Sequence, residues 1–343
     1  MSYIIDKNPI NDIINGNMDI WQRGTSFTGI ATNTYCADRF LNSFVGTMVY
    51  DITRSTDVPN KNYNYSLKLD VTTADAAIAA GDLTRITTKV EGFNYKKYVN
   101  NYGTFGFWVK AVKTGIYCIS FRNSGLNRSY VTEFEIYTTN TWEYKSVTVL
   151  FNETGGTWDY INGVGLDISI VLASGSTFQT TANAWQTGNF LATSNIVNGV
   201  DNTANDFYLT GLTFNVGNQV YSNFSYDISN EHLRCLRYFR NITNITNRNY
   251  GLGYAFSTSQ VRYVVSLTVP LRANPTITLS ASKMTDISAG ATVNVSLNTV
   301  DGAALEQNIV SFNWNDAATP FTATLSYGFF MTGSDSLKFE AEL

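Results

Sequence analysis

The sequence predicts an all-β protein: an N-terminal jelly-roll β-sandwich, a short linking α-helix and a second, smaller C-terminal β-sandwich. Short segments rich in β-branched and aromatic residues alternate between apolar and polar side chains, and polar turns separate them. No helical pattern lies between most of these segments, which favours antiparallel sandwiches of the jelly-roll kind. One stretch, residues 227–241, departs from this pattern and has the periodicity of a helix.

Length and local pattern divide the chain into four predicted parts. At 343 residues it allows one large domain or two medium domains, each big enough for its own core. The parts are an N-terminal arm at 1–14, the jelly-roll domain at 15–226, the linking helix at 227–245 and the C-terminal β-sandwich at 246–343. The arm contains four isoleucines that need a surface to pack on, such as another subunit: Ile4, Ile5, Ile13 and Ile14.

The jelly-roll domain is predicted from strand patterns in close succession. Within residues 104–111, Phe105, Phe107 and Val109 share one face of a strand, and Trp108 and Lys110 share the other. The Ala-rich residues 75–83 are the exception, because a short helical turn is expected there. The predicted strands are 65–71, 103–111, 115–122, 131–137, 144–151, 164–172 and 207–216.

The linking helix has signals at both ends. Ser229 is expected to cap it, because a serine hydroxyl accepts a hydrogen bond from a free amide of the first turn. Glu231 lies near the positive end of the helix dipole, and Arg237 and Arg240 lie near the negative end.

One face of this helix is predicted to be packed. Four residues recur at the spacing of a single helix face: His232, Cys235, Leu236 and Phe239. A helix this short depends on packing for its stability. We therefore expect it to tie two domains or two subunits together, and His232 to have a packing or capping role. The residues predicted at this domain or subunit interface are Leu233, Leu236, Arg237, Tyr238 and Phe239.

The strand pattern resumes after the helix and predicts the C-terminal sandwich. Pro270 and Pro275 bracket a turn, since proline cannot donate to a central ladder. The predicted strands are 253–258, 263–269, 276–281, 291–297, 309–314, 321–331 and 337–343.

Composition favours neutral partners over nucleic acid. Only 15% of the residues are charged, the net charge is −4 and the pI is near 5.1, whereas a nucleic-acid-binding protein has a basic face. The polar surface must consist largely of Asn, Thr, Ser, Gly and Tyr, which suits sugars. No apolar run is long enough to span a bilayer, and no secretion signal is evident. We expect that the chain does not insert into a membrane. We also expect that it folds in the cytosol where it is made.

Motifs for metal, cofactor or nucleophilic chemistry are missing. Cys36, Cys118 and Cys235 form no CxxC pair, and His232 is the single histidine, so a Cys/His zinc site is not expected. Each cysteine is expected to be a small buried residue. The chain contains no GxSxG, HExxH or P-loop sequence. We expect neither a metal nor a cofactor, and no enzymatic activity.

A glycosidase remains an open alternative, because it needs only two carboxylates some 5–10 Å apart. Glu133 and Glu135 lie two residues apart on a predicted strand and point the same way. A solvated strand face is the simpler interpretation of this pair. The acids considered for such a site are Asp38, Glu91, Glu133, Glu135 and Asp167.

Aromatic residues beside turns are candidates for glycan binding. An aromatic ring can stack on the apolar face of a sugar while Asn, Gln and Asp bond its hydroxyls. Trp21 and Trp314 are interpreted as core anchors, and Trp108 is undecided between the core and a surface. The predicted glycan-binding residues are Trp142, Trp158, Tyr160 and Trp185.

Several segments resemble virion proteins of tailed phages that are described as tail-fibre, appendage or minor structural proteins. Residues 15–27, Asn-Gly-Asn-Met-Asp-Ile-Trp-Gln-Arg-Gly-Thr-Ser-Phe, followed by Tyr-Cys-Ala-Asp-Arg-Phe at 35–40, resemble their opening, which ends in Trp where this chain has Phe40. Residues 65–69 and 105–111 are similar to strands of their jelly roll, which itself resembles family 4 and 9 carbohydrate-binding modules. Residues 205–217 match its last strand, although Thr-Phe-Asn at 213–215 replaces the usual Gln-Leu-Glu.

Two further segments of the C-terminal third resemble the same proteins. Residues 231–239, Glu-His-Leu-Arg-Cys-Leu-Arg-Tyr-Phe, are similar to the Glu-Leu-x-x-Cys-Gln-Arg-Tyr-Tyr signature, with Leu236 for Gln and Phe239 for Tyr. Residues 269–276, Val-Pro-Leu-Arg-Ala-Asn-Pro-Thr, are similar to its Val-Pro-Met-Arg-x-x-Pro-Thr turn. The resemblance implies a jelly roll, a connecting helix and a C-terminal β-sandwich, commonly in an oligomer. Asp38 and Arg39 of the opening motif are expected to form a structural ion pair or turn clamp.

These observations predict a non-enzymatic structural component of a bacteriophage particle: a fibre, spike or decoration protein on head or tail. Its expected partners are copies of itself, as a homo-oligomer and most simply a trimer, other virion proteins, and host surface glycans. The expected location is the virion, assembled in the host cytoplasm. A carbohydrate-binding receptor adhesin is the alternative, and a polysaccharide depolymerase is a third hypothesis.

Overall fold

A computed structural model describes residues 11–152, 155–221, 226–243, 248–280, 283–286, 290–294, 299–306, 309–316, 320–331 and 336–343. The chain divides into two compact units: Met1–Glu231 with Leu343, and His232–Glu342. Both consist of antiparallel strands, so the predicted all-β class with β-sandwich domains is confirmed. None of the described helices is long and apolar enough to cross a bilayer.

Most of the regular secondary structure in the first unit is β-strand. In chain order they are β1 (Ser26–Phe27), β2 (Thr34–Tyr35), β3 (Leu41–Val45), β4 (Val49–Ser55), β5 (Ser66–Thr73), β6 (Leu83–Glu91), β7 (Tyr102–Ala111), β8 (Gly115–Arg122), β9 (Arg128–Ile136), β10 (Glu143–Leu150), β11 (Val164–Ser174), β12 (Trp185–Thr187) and β13 (Asp206–Val216). A short helix α1 (Gly92–Tyr95) leads into a 3₁₀ turn (Lys96–Tyr98), and a second 3₁₀ turn spans Ser176–Phe178.

Two sheets form the sandwich of the first unit. The six-stranded sheet has the order β1-β4-β5-β13-β7-β10, and the seven-stranded sheet has the order β12-β9-β8-β11-β6-β3-β2. Phe105 and Phe107 of the first sheet contact Phe121 and Phe134 of the second, with ring centroids 6.1 and 5.1 Å apart. The core therefore lies between the sheets, and the alternation of β7 turns Trp108 and Lys110 to the outer face.

The two outer faces differ in how they are covered. On the seven-stranded sheet, residues between β11 and β13 lie across the outer face: Leu191 and Ala192 pack with Cys118, Val131 and Val171. On the six-stranded sheet, outward residues of the edge strand β10 remain exposed. The six-stranded sheet therefore has the more open outer face.

The opening motif builds a structural clamp. The side chain of Asn15 donates to the carbonyls of Ile20 (2.8 Å) and Asp38 (3.0 Å) and accepts from the amide of Ile20. Asp38 accepts from the Gln22 amide at 2.9 Å, and Arg39 donates to the Lys89 carbonyl at 2.9 Å. Asp38 and Arg39 thus act as the expected turn clamp through backbone contacts.

The start of the chain packs on its own sandwich where it is described. Ile13 lies in the core of the first unit, and the amide of Asp12 donates to Phe214 of β13. Ile14 is also buried, whereas Ile4 and Ile5 lie outside the described residues. The predicted core anchor Trp21 is confirmed, since its ring is buried and its Nε1 donates to Met18 at 2.6 Å.

The helical turn predicted at residues 75–83 is wrong. The described backbone there is irregular, and it ends in a tight turn in which Asp82 donates to the carbonyl of Ala79. The Asp82 carboxylate also accepts from the Ala79 amide at 2.9 Å. The side chain closes the turn and competes with helix formation, as aspartate commonly does.

The linking helix is shorter than predicted. Helix α2 spans Ile228–Leu236 rather than residues 227–241, and the division between the two units falls within it. The chain leaves the helix because Phe239–Thr243 (β14) pairs with Ser336–Glu340 (β23), and this ladder overrides local helix propensity. The N-cap is Asp227, whose carboxylate accepts from the Ser229 amide at 2.8 Å, so the prediction of Ser229 as cap is wrong.

The residues predicted on one helix face do not share one environment. Cys235 is buried, Leu236 is half-buried, and Phe239 is buried on β14 rather than on the helix. His232 is exposed, so it does not pack against the core of its own chain. Glu231 is buried instead and accepts from the Asn15 amide.

The predicted interface residues also differ in exposure. Leu233 is exposed, Arg237 is half-buried and Tyr238 is buried. Whether these residues join domains or subunits stays a prediction.

The second unit is a smaller sandwich. After β14 its strands are β15 (Arg248–Ala255), β16 (Gln260–Ser266), β17 (Thr276–Leu279), β18 (Lys283–Asp286), β19 (Ala291–Asn294), β20 (Thr299–Glu306), β21 (Ile309–Asn315), β22 (Ser326–Met331) and β23. The sheets have the orders β14-β23-β17 and β19-β18-β22-β15-β16-β21-β20. Phe312 and Phe339 meet between them at 6.4 Å, and the predicted core anchor Trp314 is fully buried.

Candidate functional site

The aromatic residues predicted to bind glycans fall in two places on the first unit. Trp158, Tyr160 and Trp185 come together beyond the last residue of β10. Trp142 lies apart from them, immediately before β10, on the outer face of the six-stranded sheet.

The first group, here called the end cluster, is a set of packed rings. Trp158 is parallel to Tyr95, with centroids 5.1 Å apart and planes 6° apart, and Tyr160 is parallel to Tyr95 at 6.2 Å. Trp185 meets the edge of Trp158 at 5.7 Å. Such stacked and edge-on geometries are the favoured ones for aromatic pairs. The end cluster therefore has fixed ring orientations.

Backbone carbonyls complete the end cluster. Trp158 Nε1 donates to Gly155 at 2.7 Å, and Trp185 Nε1 donates to Leu150 at 3.0 Å. Both indoles are half-buried and pack against the core between the sheets. Tyr160 is different, because 38% of it is exposed. Two of the three residues thus close the end of the core, and Tyr160 faces solvent.

Trp142 belongs to a row of charged and aromatic side chains across the open sheet face. Its Nε1 donates to Asp57 at 2.9 Å, and Lys110 forms an ion pair with the same carboxylate. The Lys110 ammonium lies 4.1 Å from the centroid of the Tyr208 ring and 5.7 Å from that of Trp142. This row fastens the loop between β4 and β5 to the sheet.

Ionisable groups in this row are engaged with one another. Partial burial acts to raise the pKa of Asp57, but hydrogen bonds from Lys110 and Trp142 outweigh it and hold the pKa below its ordinary value. Lys68 lies 3.1 Å from Asp70 and 3.2 Å from Asp206. Partial burial, together with the neighbouring Asp70, raises the pKa of Asp206 against the opposing effect of Lys68.

Next to this row is a group of three rings, here called the aromatic platform: Tyr63, Trp108 and Tyr144. The rings of Trp108 and Tyr144 lie 5.3 Å apart in an edge-on arrangement, and Trp108 is hydrogen-bonded to the Tyr63 hydroxyl. Trp108 and Tyr63 are half-buried, whereas Tyr144 is 40% exposed. The outer-face position of Trp108 resolves what the sequence left undecided.

Two glycines allow the platform to lie close to the sheet. A Cβ on Gly106 would collide with the Tyr144 hydroxyl, and one on Gly211 would lie 2.8 Å from the Tyr63 ring and 3.0 Å from Trp108. Gly211 has φ 64°, a conformation that favours glycine, in the bulge of β13. The rings therefore lie against backbone where other residues would have side chains.

The platform hydroxyls are neutral near physiological pH. Partial burial raises the pKa of Tyr144, against a hydrogen bond from Thr213 that lowers it, and partial burial likewise raises the pKa of Tyr63. A neutral phenol both donates and accepts hydrogen bonds. The platform can therefore offer ring surface and neutral polar groups to a ligand.

Sequence reasoning missed Tyr63 and Tyr144. The available signal was that Trp108 alternates with the core residues Phe105, Phe107 and Val109 and so faces outward. Tyr144 is the direct cross-strand partner of Trp108, and this pairing between β7 and β10 is not visible in the sequence.

The acids considered for glycosidase chemistry are mostly occupied in structural contacts. Asp167 is buried and forms an ion pair with Arg122 at 2.7 Å. Glu133 accepts from the side chains of Thr193 and Asn195. Asp38 lies in the opening clamp, Glu91 is buried, and Glu135 is exposed. In the part of the chain that the structure describes, no group of three or more His, Cys, Asp or Glu is arranged to hold a metal ion.

Comparisons with known proteins give distant structural likenesses. No family model and no curated protein sequence matches the chain. The enzymatically active domain of tailspike protein 4 of bacteriophage CBA120 has 16% identity and a TM-score of 0.35, over 60% of this chain and 21% of that chain. A structure described as a sugar-binding protein from Bacteroides thetaiotaomicron has 10% identity and a TM-score of 0.37, over 60% and 100%.

A third similar structure is a family 11 carbohydrate-binding module from Clostridium thermocellum in complex with a mixed-linked tetrasaccharide. It has 7% identity and a TM-score of 0.31, over 55% of this chain and 95% of that chain.

Proposed function

We propose that the protein is a non-enzymatic structural component of a bacteriophage particle, and that its first unit contacts host glycans through the aromatic platform. The observation that carries glycan contact is the arrangement of Tyr63, Trp108 and Tyr144 on the open face of the six-stranded sheet. The virion role is supported by the segments that resemble phage tail-fibre and appendage proteins.

The platform suits a sugar because it combines ring surface with neutral polar groups. Stacking of an exposed aromatic ring on an apolar face of a ligand removes both surfaces from water, which is favourable. Sugars carry such apolar faces beside their hydroxyls. The rings are held by one another and by the sheet, so little conformational entropy is lost when a ligand binds. Asp57, Lys110 and Lys68 are paired within the row, which leaves recognition to stacking and neutral hydrogen bonds.

Glycan binding is tested with the full-length protein on an array of bacterial surface glycans. Replacement Tyr144→Ala removes the most exposed ring of the platform, and we expect affinity to fall about tenfold, as for a well-placed aromatic contact. The matched control is Tyr137→Ala, because Tyr137 is 69% exposed and its ring lies against Lys145 rather than against a platform ring. An equal loss of glycan affinity in both variants contradicts the proposal. A parent protein that binds no glycan on the array also contradicts it.

The virion role is tested on purified phage particles. We expect mass spectrometry to find the chain in particles banded on a density gradient, and antibody-gold labelling to place it on head or tail. A chain that is abundant in infected cells but absent from the particles contradicts this part of the proposal.

A carbohydrate-binding adhesin is the second candidate, favoured by the same platform. The adhesin differs from a structural component because host attachment would be its main task. Phage particles that carry Tyr144→Ala would adsorb to cells more slowly but assemble normally. A structural component without this task would show normal adsorption.

The third hypothesis, a depolymerase, requires the release of reducing ends from capsular polysaccharide, which we do not expect between pH 4 and 8.

A further inference from the structure

A second exposed surface lies at the end of the sandwich, above the end cluster. This surface, here called the apical patch, is formed by Phe93 and Asn94 of α1 and by Tyr160 and Ile161 of the loop before β11. Phe93 is 53% exposed and Ile161 58%, and Asn94 is exposed as well. Large apolar side chains this exposed on adjacent segments often mark an interaction site.

The apical patch is held rigidly. Asp159 Oδ1 accepts from the amides of Ile161 at 2.7 Å and Gly163 at 3.1 Å, and so fixes the loop that presents Tyr160. The Phe93 amide donates to the Ile161 carbonyl at 2.7 Å, which joins the two segments of the patch. A Cβ on Gly92 would lie 2.6 Å from the Ile161 amide, so the close approach requires glycine. These contacts preorganise the exposed rings.

The end cluster supports the patch from below. Tyr95, which is buried, stacks with both Tyr160 and Trp158. The ring nitrogens of Trp158 and Trp185 donate hydrogen bonds to backbone carbonyls. They are therefore positioning residues, and Phe93 and Tyr160 are the rings offered to a partner.

The chemistry of the patch fits an uncharged sugar. Asn94, the residue after Phe93 in α1, is also exposed, and its carboxamide can donate to and accept from hydroxyl groups. The nearby Lys96 ammonium lies 5.4 Å from the centroid of the Phe93 ring, a position stabilised by the ring itself. Exposed ring surface and an exposed neutral amide on the same short helix match an uncharged glycan.

The patch is separate from the aromatic platform. Trp185 contacts Leu150 at the end of β10, whereas Tyr144 of the platform lies six residues earlier on the same strand. At about 3.4 Å per residue, Leu150 and Tyr144 lie about 20 Å apart along β10.

We infer that the apical patch is a second carbohydrate-binding site, specific for uncharged glycans and contacted through Phe93 and Tyr160. The inference rests on the proposed glycan-binding function of the first unit. Two sites on one sandwich let a single polysaccharide chain be held at two points, which raises its apparent affinity without any new contact at either site.

The test is affinity electrophoresis of the full-length protein in gels that contain one soluble polysaccharide each. The uncharged probes are dextran, mannan, galactan and mixed-linked β-glucan, and alginate is the anionic comparator. The variants are the pair Phe93→Ser with Tyr160→Ser, the platform variant Tyr144→Ala, and the control Tyr137→Ser. Near-ultraviolet circular dichroism checks that Trp158 and Trp185 stay packed in the variants.

We expect the Phe93/Tyr160 pair variant to weaken binding of an uncharged polysaccharide about tenfold, and addition of Tyr144→Ala to abolish it. Binding should not change with salt, because no ion pair with the ligand is broken. If the pair variant binds like the parent while Tyr144→Ala loses binding, the second site is refuted and the platform stands.

The remaining outcomes separate the two proposals. If the pair variant loses binding while Tyr144→Ala retains it, the apical patch stands and the platform is refuted. If the protein is slowed only in the gel that contains alginate, and salt abolishes this effect, the assignment to uncharged glycans is overturned. A parent protein that binds none of the five polysaccharides overturns both sites.

Discussion

The indole of Trp142 donates to the carboxylate of Asp57 at 2.9 Å and thereby joins the segment before β10 to the loop after β4. Lys110 pairs with the same carboxylate from β7. One acid thus fixes the loop that carries Tyr63 of the aromatic platform, and the consequences of this arrangement can be measured.

We predict that Asp57 makes stability depend on pH in the acid range. Its pKa is held below the ordinary 3.8 by Lys110 and Trp142, so the carboxylate contributes stability above that value. This contribution is lost as the pH falls through the lower pKa of the folded state. In thermal unfolding scans, Asp57→Asn should lower Tm at pH 6, and the difference from the parent should shrink towards pH 3. Glu135→Gln at an exposed position serves as control. A difference independent of pH would contradict the prediction.

We predict that Gly106→Ala disrupts the aromatic platform. The added Cβ would collide with the Tyr144 hydroxyl and lie 3.0 Å from the Thr213 hydroxyl, so Tyr144 must leave the sheet surface. Glycan affinity should fall about as far as in Tyr144→Ala, with a loss of stability of about 1–3 kcal/mol from crowding. The matched control is Gly81→Ala, because a Cβ on Gly81 has no neighbour within 4 Å. Unchanged affinity in Gly106→Ala would show that the position of Tyr144 is irrelevant to binding.

The buried ion pair of Arg122 and Asp167 provides a stability prediction. Both side chains are almost fully buried, and the contact measures 2.7 Å. Asp167→Asn should cost about 3–5 kcal/mol, because it leaves the buried guanidinium without a countercharge. Lys113→Gln, at a partly exposed pair with Asp201, should cost less than about 1 kcal/mol. Calorimetric unfolding measures both, and similar losses in the two variants would contradict this account.

The fold class could be predicted because strand alternation is a local signal. The segment Gly115–Arg122 (β8) matches its prediction at both ends, and Trp21 and Trp314 lie in the cores as expected. The end of α2 could not be predicted in this way, because residues after Leu236 are recruited by pairing with β23, about a hundred positions away. Helix periodicity alone therefore extended the helix too far.

The candidate site was less predictable, since it depends on which strands are neighbours. The sequence predicts Trp158, Tyr160 and Trp185 as glycan-binding aromatics because they lie beside turns, and the fold brings all three together. The same criterion also selected Trp142, which the fold places in a different group. Tyr144 was not selected because its partner Trp108 lies 36 positions earlier in the chain, and only the register of β7 with β10 joins them.

The three thiols should be unreactive in the folded protein. Cys36, Cys118 and Cys235 are buried, and burial raises the pKa of Cys36 to about 12 and that of Cys118 to about 11. The thiolate is the reactive form, so both access and ionisation oppose labelling. With Ellman's reagent at pH 8 we expect no fast reaction in buffer and three equivalents per chain in denaturant. Rapid labelling of one thiol in buffer would contradict the prediction and would show that this thiol is accessible to solvent in the folded protein.

The predicted homo-oligomer can be tested through the second unit. Exposed apolar side chains lie on neighbouring strands of its seven-stranded sheet, among them Leu252 and Tyr254 of β15 and Val264 of β16. Burial against another copy would stabilise apolar side chains as exposed as these. Sedimentation at micromolar concentration should give about three times the 38.0 kDa chain mass. Val264→Lys should lower that mass without changing Tm of the first unit, and Glu135→Lys on the first unit is the charge-matched control. A parent protein that is strictly monomeric would contradict the trimer, and an unaffected Val264→Lys oligomer would place the contact elsewhere.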